Sequence, residues 1–421
     1  MEKESKDIKS QLQLGYKLQT LMHKVNKETL KIQHNKQQKN KAVGIDKITK
    51  EEYNENLEEN IENLLTRMKR FSYKPQPVRR TYIPKANGKQ RPLGIPAYED
   101  KLVQGAMANI LNEIYENIFL ENSYGFRPRR NCHQVVKYIN DTIMFKQVNY
   151  IVDADIKGFF DNVNHEWLMK FLEHDIADKN FLRYIKRFLI SGYMEDMKYY
   201  ETDKGTPQGG LISPILANVY LHFVLDLWVE KYIKPRCKGK VYLIRYADDF
   251  LVMFQYENEA KWFLNALKER MEKFGLELEP TKTRIIPFGR LKGTKENFDF
   301  LGFTFHNGIS RKGKYRIVVK SSKKKMKQKR ESVKKWLCDN MHEDITETLE
   351  KIKTKILGHY NYYGVSGNIK EMHKFYWYVK ITYFRTLQRR GQKHPIPYER
   401  YASYWDAIKI PLPRICVNIW A

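Results

Sequence analysis

The stretch Val241-Tyr-Leu-Ile-Arg-Tyr-Ala-Asp-Asp-Phe-Leu-Val-Met-Phe254 decides how this chain reads. Two apolar, strand-prone runs, 241–244 and 250–254, flank a short polar centre. Runs of this kind joined by a tight turn form a hairpin, which presents Asp248 and Asp249 at its tip. Adjacent carboxylates at a turn between buried strands are costly unless a cation neutralises them. Hard divalent ions prefer such oxygen ligands. A lone Asp-Asp pair also caps solvated turns, so its company decides the chemistry.

That company begins upstream with Tyr150-Ile-Val-Asp-Ala-Asp-Ile-Lys-Gly-Phe-Phe-Asp161. On a strand, side chains alternate with period two, which puts Asp153 and Asp155 on the same side. Asp155, Asp248 and Asp249 then supply three acidic groups from two strands, as a two-metal phosphoryl-transfer site requires. Short strand-like runs (148–156, 241–244, 250–254) alternate with helical stretches such as 166–172 and 258–274. This pattern predicts an α+β domain around an antiparallel sheet. Residues 98–120 carry apolar positions at helical spacing and read as a core helix. The apolar run 211–229 contains Ser213, Asn218, His222 and Asp226, so it reads as a buried helix and not a membrane span. Extended runs around Asn87-Gly88 predict a hairpin.

Composition bounds the partners. Of 421 residues, 76 are Lys or Arg and 49 Asp or Glu, a net charge of +27, with 13% aromatic residues. A surface this positive points to an extended polyanionic partner, nucleic acid. Hydrophobic content of 42% and charged content of 30% exclude a membrane-embedded or wholly disordered chain. The four cysteines never form a Cys-x-x-Cys pair, which argues against structural zinc and a disulfide framework. The N-terminus has no apolar core of the kind a secretory signal needs, so a cytosolic protein is expected, in a bacterium the cytosol or nucleoid. Residues 311–335 hold thirteen basic residues and one acid, Glu331. Within them Met326, Lys329, Arg330, Val333 and Leu337 suit a helix with one apolar and one basic face. A domain boundary is expected near residue 310, with segments 1–70, 71–310 and 311–421.

These motifs resemble those of group II intron-encoded reverse transcriptase/maturases. Tyr246-Ala-Asp-Asp249 looks like the family's catalytic box and Asp155-Ile-Lys-Gly-Phe-Phe-Asp161 like its first metal-binding motif. Gly205-Thr-Pro-Gln-Gly-Gly-Leu-Ile-Ser-Pro-Ile-Leu-Ala-Asn218 resembles its template- and nucleotide-positioning motif. Arg91-Pro-Leu-Gly-Ile-Pro96 and Ser123-Tyr-Gly-Phe-Arg-Pro128 match the fingers, Phe300-Leu-Gly-Phe303 the primer grip, and Gly358-His-Tyr-Asn-Tyr-Tyr363 the thumb, or maturase X, domain.

The resemblance implies a right-hand polymerase fold: an N-terminal extension (1–70), fingers and palm (71–310) and a helical thumb/X domain (311–421). It implies RNA-directed DNA synthesis with two Mg²⁺ ions, replaceable by Mn²⁺, on Asp155, Asp248, Asp249 and the backbone carbonyl of Ile156. Asp153 falls outside the first-motif ligand set, and Asp161 is expected to be structural. By the same likeness Lys282 protonates the leaving pyrophosphate. Arg79, Lys85 and Arg91 bracket the fingers hairpin and grip the triphosphate. Phe160 stacks under the incoming sugar and excludes a 2′-hydroxyl, while Gln208 and Gly209 let the chain approach nucleotide and template. Lys323, Lys324, Lys325, Lys327 and Tyr360 are expected to touch nucleic acid. The implied partners are an RNA template, a cognate intron RNA, a DNA primer or target and dNTPs, with the chain acting as monomer or homodimer. No paired-cysteine HNH endonuclease is visible, so target-strand cleavage by this chain is not expected. Two alternatives stay open: a splicing-only RNA-binding maturase, and a domesticated relative in phage defence or DNA repair.

Overall fold

The computed structural model describes residues 8, 10–11, 14–84, 90–206, 209–310, 312–390 and 395–420. Lys85, Gln208 and the expected turn at Asn87-Gly88 lie outside them. The architecture is α+β. Its strands in chain order are β1 (Val78–Pro84), β2 (Gln90–Ile95), β3 (Tyr150–Ala154), β4 (Tyr193–Glu195), β5 (Lys198–Tyr200), β6 (Val241–Tyr246), β7 (Asp249–Phe254), β8 (Arg284–Pro287), β9 (Asn297–Phe300), β10 (Phe303–Ile309) and β11 (Tyr315–Ser321). They form three sheets, ordered β2-β1-β4-β5, β6-β7-β3-β8 and β11-β10-β9. The chain divides into two compact units: residues up to Arg130 with Val152–Ile285, and Asn131–Ile151 with Ile286–Ala421.

In the first unit β1 and β2 pair antiparallel, Arg79 opposite Ile95 and Ile83 opposite Arg91. Alternation therefore puts Arg79 and Arg91 on one face and Arg80 on the other. Helix Tyr98–Tyr115 is buried along most of its length. Its first amide, that of Tyr98, donates to the Asp46 carboxylate at 2.6 Å, satisfying one orphan donor of the first turn. In the hairpin β6–β7, Tyr246 pairs with Asp249, leaving a two-residue loop. Phe250, Leu251, Val252, Met253 and Phe254 are all fully buried, so both faces of β7 are covered. Burying side chains of this size stabilises by about 1.5–3 kcal/mol each. The stretch beginning at 211 is α-helical over Ser213–Leu221, and a π-helical turn, His222–Asp226, follows.

The second unit joins the sheet β11-β10-β9 to helices Lys323–Asp339, Ile345–Tyr363, Ile369–Leu387 and Tyr398–Ala407. Its core includes Leu349, Ile356, Met372, Phe375, Tyr383, Tyr401 and Trp405. The basic stretch expected to open the helical region begins instead with strand β11. Ile317, Val319 and Ser321 point inward in alternation with Val318 and Lys320, a period-two pattern hidden by the surrounding charges. The helix starts at Lys323, with Met326, Val333 and Leu337 buried as its apolar stripe. Among the described residues, no helix is long and apolar enough to cross a membrane.

Candidate active site

The first unit gathers the acidic residues. Asp155 follows directly on β3, and its carbonyl accepts from the Glu279 amide at 2.8 Å, while the Lys157 amide donates to the Glu277 carbonyl at 2.8 Å. These bonds fasten segment 277–282 beside Asp155, and the Lys282 ammonium donates to the Asp155 carboxylate. The bridge between Ile156 and Leu278 uses the flanking backbone groups, not the Ile156 carbonyl expected as a ligand.

Asp248 and Asp249 occupy the tip and first strand position of the β6–β7 hairpin, as expected. Burial raises the Asp248 carboxyl above the usual range and the charge of Asp155 raises it further, with Arg91 and Arg245 opposing. Asp249 opens to solvent at its tip, yet the crowding protein, then Asp248, Asp155 and Asp153, push its pKa up to about 7, against Lys282. Asp153 thus contributes to the field, although its own neighbour is Arg284, 3.9 Å away. Two carboxyls raised by burial and by neighbouring carboxylate charge make a site short of positive charge.

Among the described residues, no three acidic, His or Cys side chains stand close enough to hold an ion by themselves. The donor set nonetheless suits Mg²⁺, which is usually held by one or two carboxylates together with substrate phosphates and water. Asp155, Asp248 and Asp249 are the side chains that would hold it.

The other expected residues fall around this cluster in distinct ways. Phe160 is half-buried, edge-on to the exposed Phe126, and lines a cavity of about 400 Å³ with Thr206 and Arg80. Phe159 beside it is core. The Thr206 amide donates to the Phe160 carbonyl at 2.7 Å, which ties the positioning motif to this turn. Arg91 is exposed on β2, whereas Arg79 is already engaged: its Nε and Nη2 donate to the Val43 carbonyl at 3.0 and 2.7 Å. Gly209 has φ +115°, and a Cβ there would lie 2.4 Å from the Gly94 carbonyl oxygen. Its freedom from a side chain is therefore required by contact with β2 itself.

In the second unit, Lys323, Lys324 and Lys327 are exposed and line a groove of about 900 Å³ with Lys320, Arg330, Lys374 and Tyr378. Lys325 is exposed but outside that lining. Tyr360 requires a correction. It is fully buried, with its hydroxyl donating to the Pro411 carbonyl at 3.1 Å, so it belongs to the core and cannot touch RNA.

Behind the Asp248 turn lies a buried polar network that the sequence reading did not assemble: Arg245, Asp226 and Asn218. The only signal was polar residues within an apolar run, which buried helices also carry for other reasons.

Comparison with known proteins accords with this geometry. The chain is 29% identical over 412 residues to the group II intron-encoded protein LtrA of Lactococcus lactis subsp. cremoris, covering 78% of this chain and 67% of that protein. It is 29% identical to protein YkfC of Escherichia coli, covering 65% of this chain and 78% of that one. An uncharacterized 91 kDa protein in the cob intron of Schizosaccharomyces pombe is 28% identical, covering 78% of this chain and 49% of that protein. Residues 83–305, which include every acidic residue of the cluster, match the model of the reverse transcriptase (RNA-dependent DNA polymerase) family, and the chain belongs to that family, with group II intron-encoded relatives.

Proposed function

We propose that this chain extends a DNA primer on an RNA template by a two-metal mechanism, and that it binds a structured intron RNA to assist splicing and mobility. The observation that carries the first part is the gathering of Asp248 and Asp249 at the hairpin tip within the field of Asp155, whose charge adds to burial in raising both carboxyls. Divalent ions bound there would activate the attacking hydroxyl and stabilise the leaving pyrophosphate. The hydrogen bond to Asp155 raises the Lys282 pKa and keeps the ammonium charged, so it holds a proton that it could pass to the leaving pyrophosphate. Arg91, exposed on the fingers hairpin, would neutralise charge on the triphosphate.

The second part rests on the exposed lysines of helix Lys323–Asp339 and on the intron-encoded relatives. Phosphate contacts of this kind position nucleic acid without reading its sequence. We assign residues 1–70 to an N-terminal extension, 71–310 to fingers and palm, and 311–421 to a thumb that begins with β11. The test is primer extension on RNA by a variant with Asp248→Ala and Asp249→Ala. Mg²⁺-dependent extension should vanish while RNA binding persists. Extension within about tenfold of wild type, a change of about 1.4 kcal/mol, would remove these carboxylates from the reaction.

A further inference from the structure

The Arg245 side chain is fully buried. Its Nε and Nη2 donate to the two oxygens of Asp226 at 2.8 and 2.5 Å, and Asp226 is also fully buried. Its remaining bonds run elsewhere. Nη1 donates to the Asn218 side-chain oxygen at 2.9 Å and to the carbonyl of Ala247 at 3.0 Å. Ala247 is the first residue of the two-residue loop whose second residue is Asp248. It has φ +57°, a left-handed conformation that an alanine adopts only under constraint.

The constraint has a second arm. The Asn218 amide donates to the Gly125 carbonyl at 2.7 Å. Gly125 lies so close beneath the turn that a Cβ there would stand 2.2 Å from the Ala247 nitrogen. The backbone amide of Arg245 donates to Asn122, and its carbonyl accepts from Tyr124, both at 2.9 Å. The turn is therefore gripped both by Arg245 and by segment 122–125.

The helix that supplies the partners is wound to suit. Asn218 and Asp226 are eight residues apart, and an α-helix with 3.6 residues per turn would rotate the second about 80° from the first. The π turn His222–Asp226 winds more slowly and takes back part of that rotation, so both side chains reach one guanidinium.

We propose that Arg245 is a positioning residue of the polymerase centre: held by Asp226 and Asn218, it fixes the Ala247-Asp248 turn, and so the carboxylates that receive the ions. The bond to the Ala247 carbonyl joins this buried ion pair to the turn that carries Asp248. The proposal rests on reading Asp155, Asp248 and Asp249 as metal ligands.

The test compares four variants of the full chain. Thermal stability, kcat and KM for one dNTP on a primed RNA template, and Mn²⁺ affinity by electron paramagnetic resonance are measured for each. Arg245→Lys keeps the charge but cannot fork to Asp226, Asn218 and Ala247 together. It should lower kcat and weaken Mn²⁺ binding by about tenfold to a hundredfold, as loss of outer supports to a metal site does, with dNTP KM little changed. Asn218→Ser, which spares the ion pair, should move both quantities the same way by a smaller factor, and it decides the matter if Arg245→Lys does not fold. Glu259→Gln is the structural control. Glu259 accepts from the amides of Lys238 and Gly239 at 2.6 and 3.1 Å, at the opposite end of the same hairpin. It should lose stability and keep kcat and Mn²⁺ affinity within about twofold, the range of a change remote from the reacting groups. Arg245→Lys folded with both quantities unchanged, or Glu259→Gln lowering both as far, would overturn the proposal. The fourth variant, with Asp248→Ala and Asp249→Ala, separates the two readings: undiminished Mn²⁺ binding in it would overturn the metal assignment itself.

Discussion

The ammonium of Lys282 rests on the carboxylate of Asp155, 127 residues away in sequence. On the proposed two-metal reading a cation stands where a divalent ion would bind, and the two would compete for one oxygen donor. Lys282→Ala should tighten Mn²⁺ binding in the absence of nucleotide, because the competitor is gone. The same variant should slow incorporation by about a hundredfold or more, the usual contribution of a general acid. The pair raises the Lys282 pKa, so its modest contribution to stability is present below about pH 10.4 and fades as pH rises through the elevated value. No loss of rate from this group is therefore expected between pH 7 and 9. Incorporation by Lys282→Ala within about threefold of wild type would take Lys282 out of the proton transfer.

A second prediction concerns acid stability. His359 is fully buried, stacked on Phe375 with ring centroids 3.9 Å apart, and neither ring nitrogen has a hydrogen-bond partner. Burial, and then the nearby Lys329, push its pKa down to about 3. Because this lies below the value of a histidine in an unfolded chain, the unfolded state takes up the proton first as pH falls. Stability is present above about pH 6.5 and is lost progressively below it, by about 2 kcal/mol at pH 5. His222, lowered to about 4 by burial against the opposing pull of Asp226, adds a loss of the same sign. Asp249, raised to about 7, acts with the opposite sign in wild type and variant alike, so the difference between the two proteins is the test: between pH 7 and pH 5, urea unfolding of His359→Leu should show about 2 kcal/mol less loss of stability than wild type. An unchanged dependence would mean that His359 is not the group being protonated.

The hairpin and its carboxylates were legible because strand periodicity and acidic spacing are both local. Asp155, Asp248 and Asp249 needed no knowledge of what packs behind them. Arg245 was not legible: it reads as one more cation beside Tyr246, and its partner Asp226 sits nineteen positions upstream on a helix whose π turn has no sequence sign. Arg79 misled for a related reason, since its partner is a backbone carbonyl, and any residue could supply one. Strand β11 was hidden because Arg316 and Lys320 fill outward positions of a period-two pattern that the density of charge obscures. Tyr360 and its neighbours carry the same aromatic signature whether they face a core or an RNA, and only packing separates the two.

The groove in the second unit makes a prediction that distinguishes adjacent lysines. Lys323, Lys324 and Lys327 line it and Lys325 does not, although all four are exposed on one helix. Each phosphate neutralised adds roughly 0.7 to 0.9 to the slope of log affinity against log salt. Changing the three lining lysines to Ala should flatten that slope by about two to three, while Lys325→Ala alone leaves it nearly unchanged. RNA-binding titrations between about 50 and 200 mM salt measure both. A larger effect from Lys325 than from any lining lysine would move the nucleic-acid track off the groove.

The last prediction concerns which sugar the site accepts. Gly158, with φ +55°, turns the chain after Asp155 into the short helix Phe159–Asn162. The two consecutive rings then part: Phe159 packs into the core against Tyr220, while Phe160 stands half-buried at the cavity lined by Thr206 and Arg80. A ring placed under the incoming sugar leaves no room for a 2′-hydroxyl, and overpacking of this kind costs about 1–3 kcal/mol. About 1.4 kcal/mol corresponds to tenfold in rate. Phe160→Ala should therefore keep deoxynucleotide incorporation measurable and raise ribonucleotide incorporation relative to it by about tenfold or more. Phe159→Ala should instead cost about 3–5 kcal/mol of stability, as truncation of a buried Phe does, with sugar preference retained. Incorporation of dCTP against CTP on one RNA template, read for both variants at a temperature where both are folded, decides between the rings. Relaxed selection in Phe159→Ala alone would show that the sugar is checked from the other side of this turn.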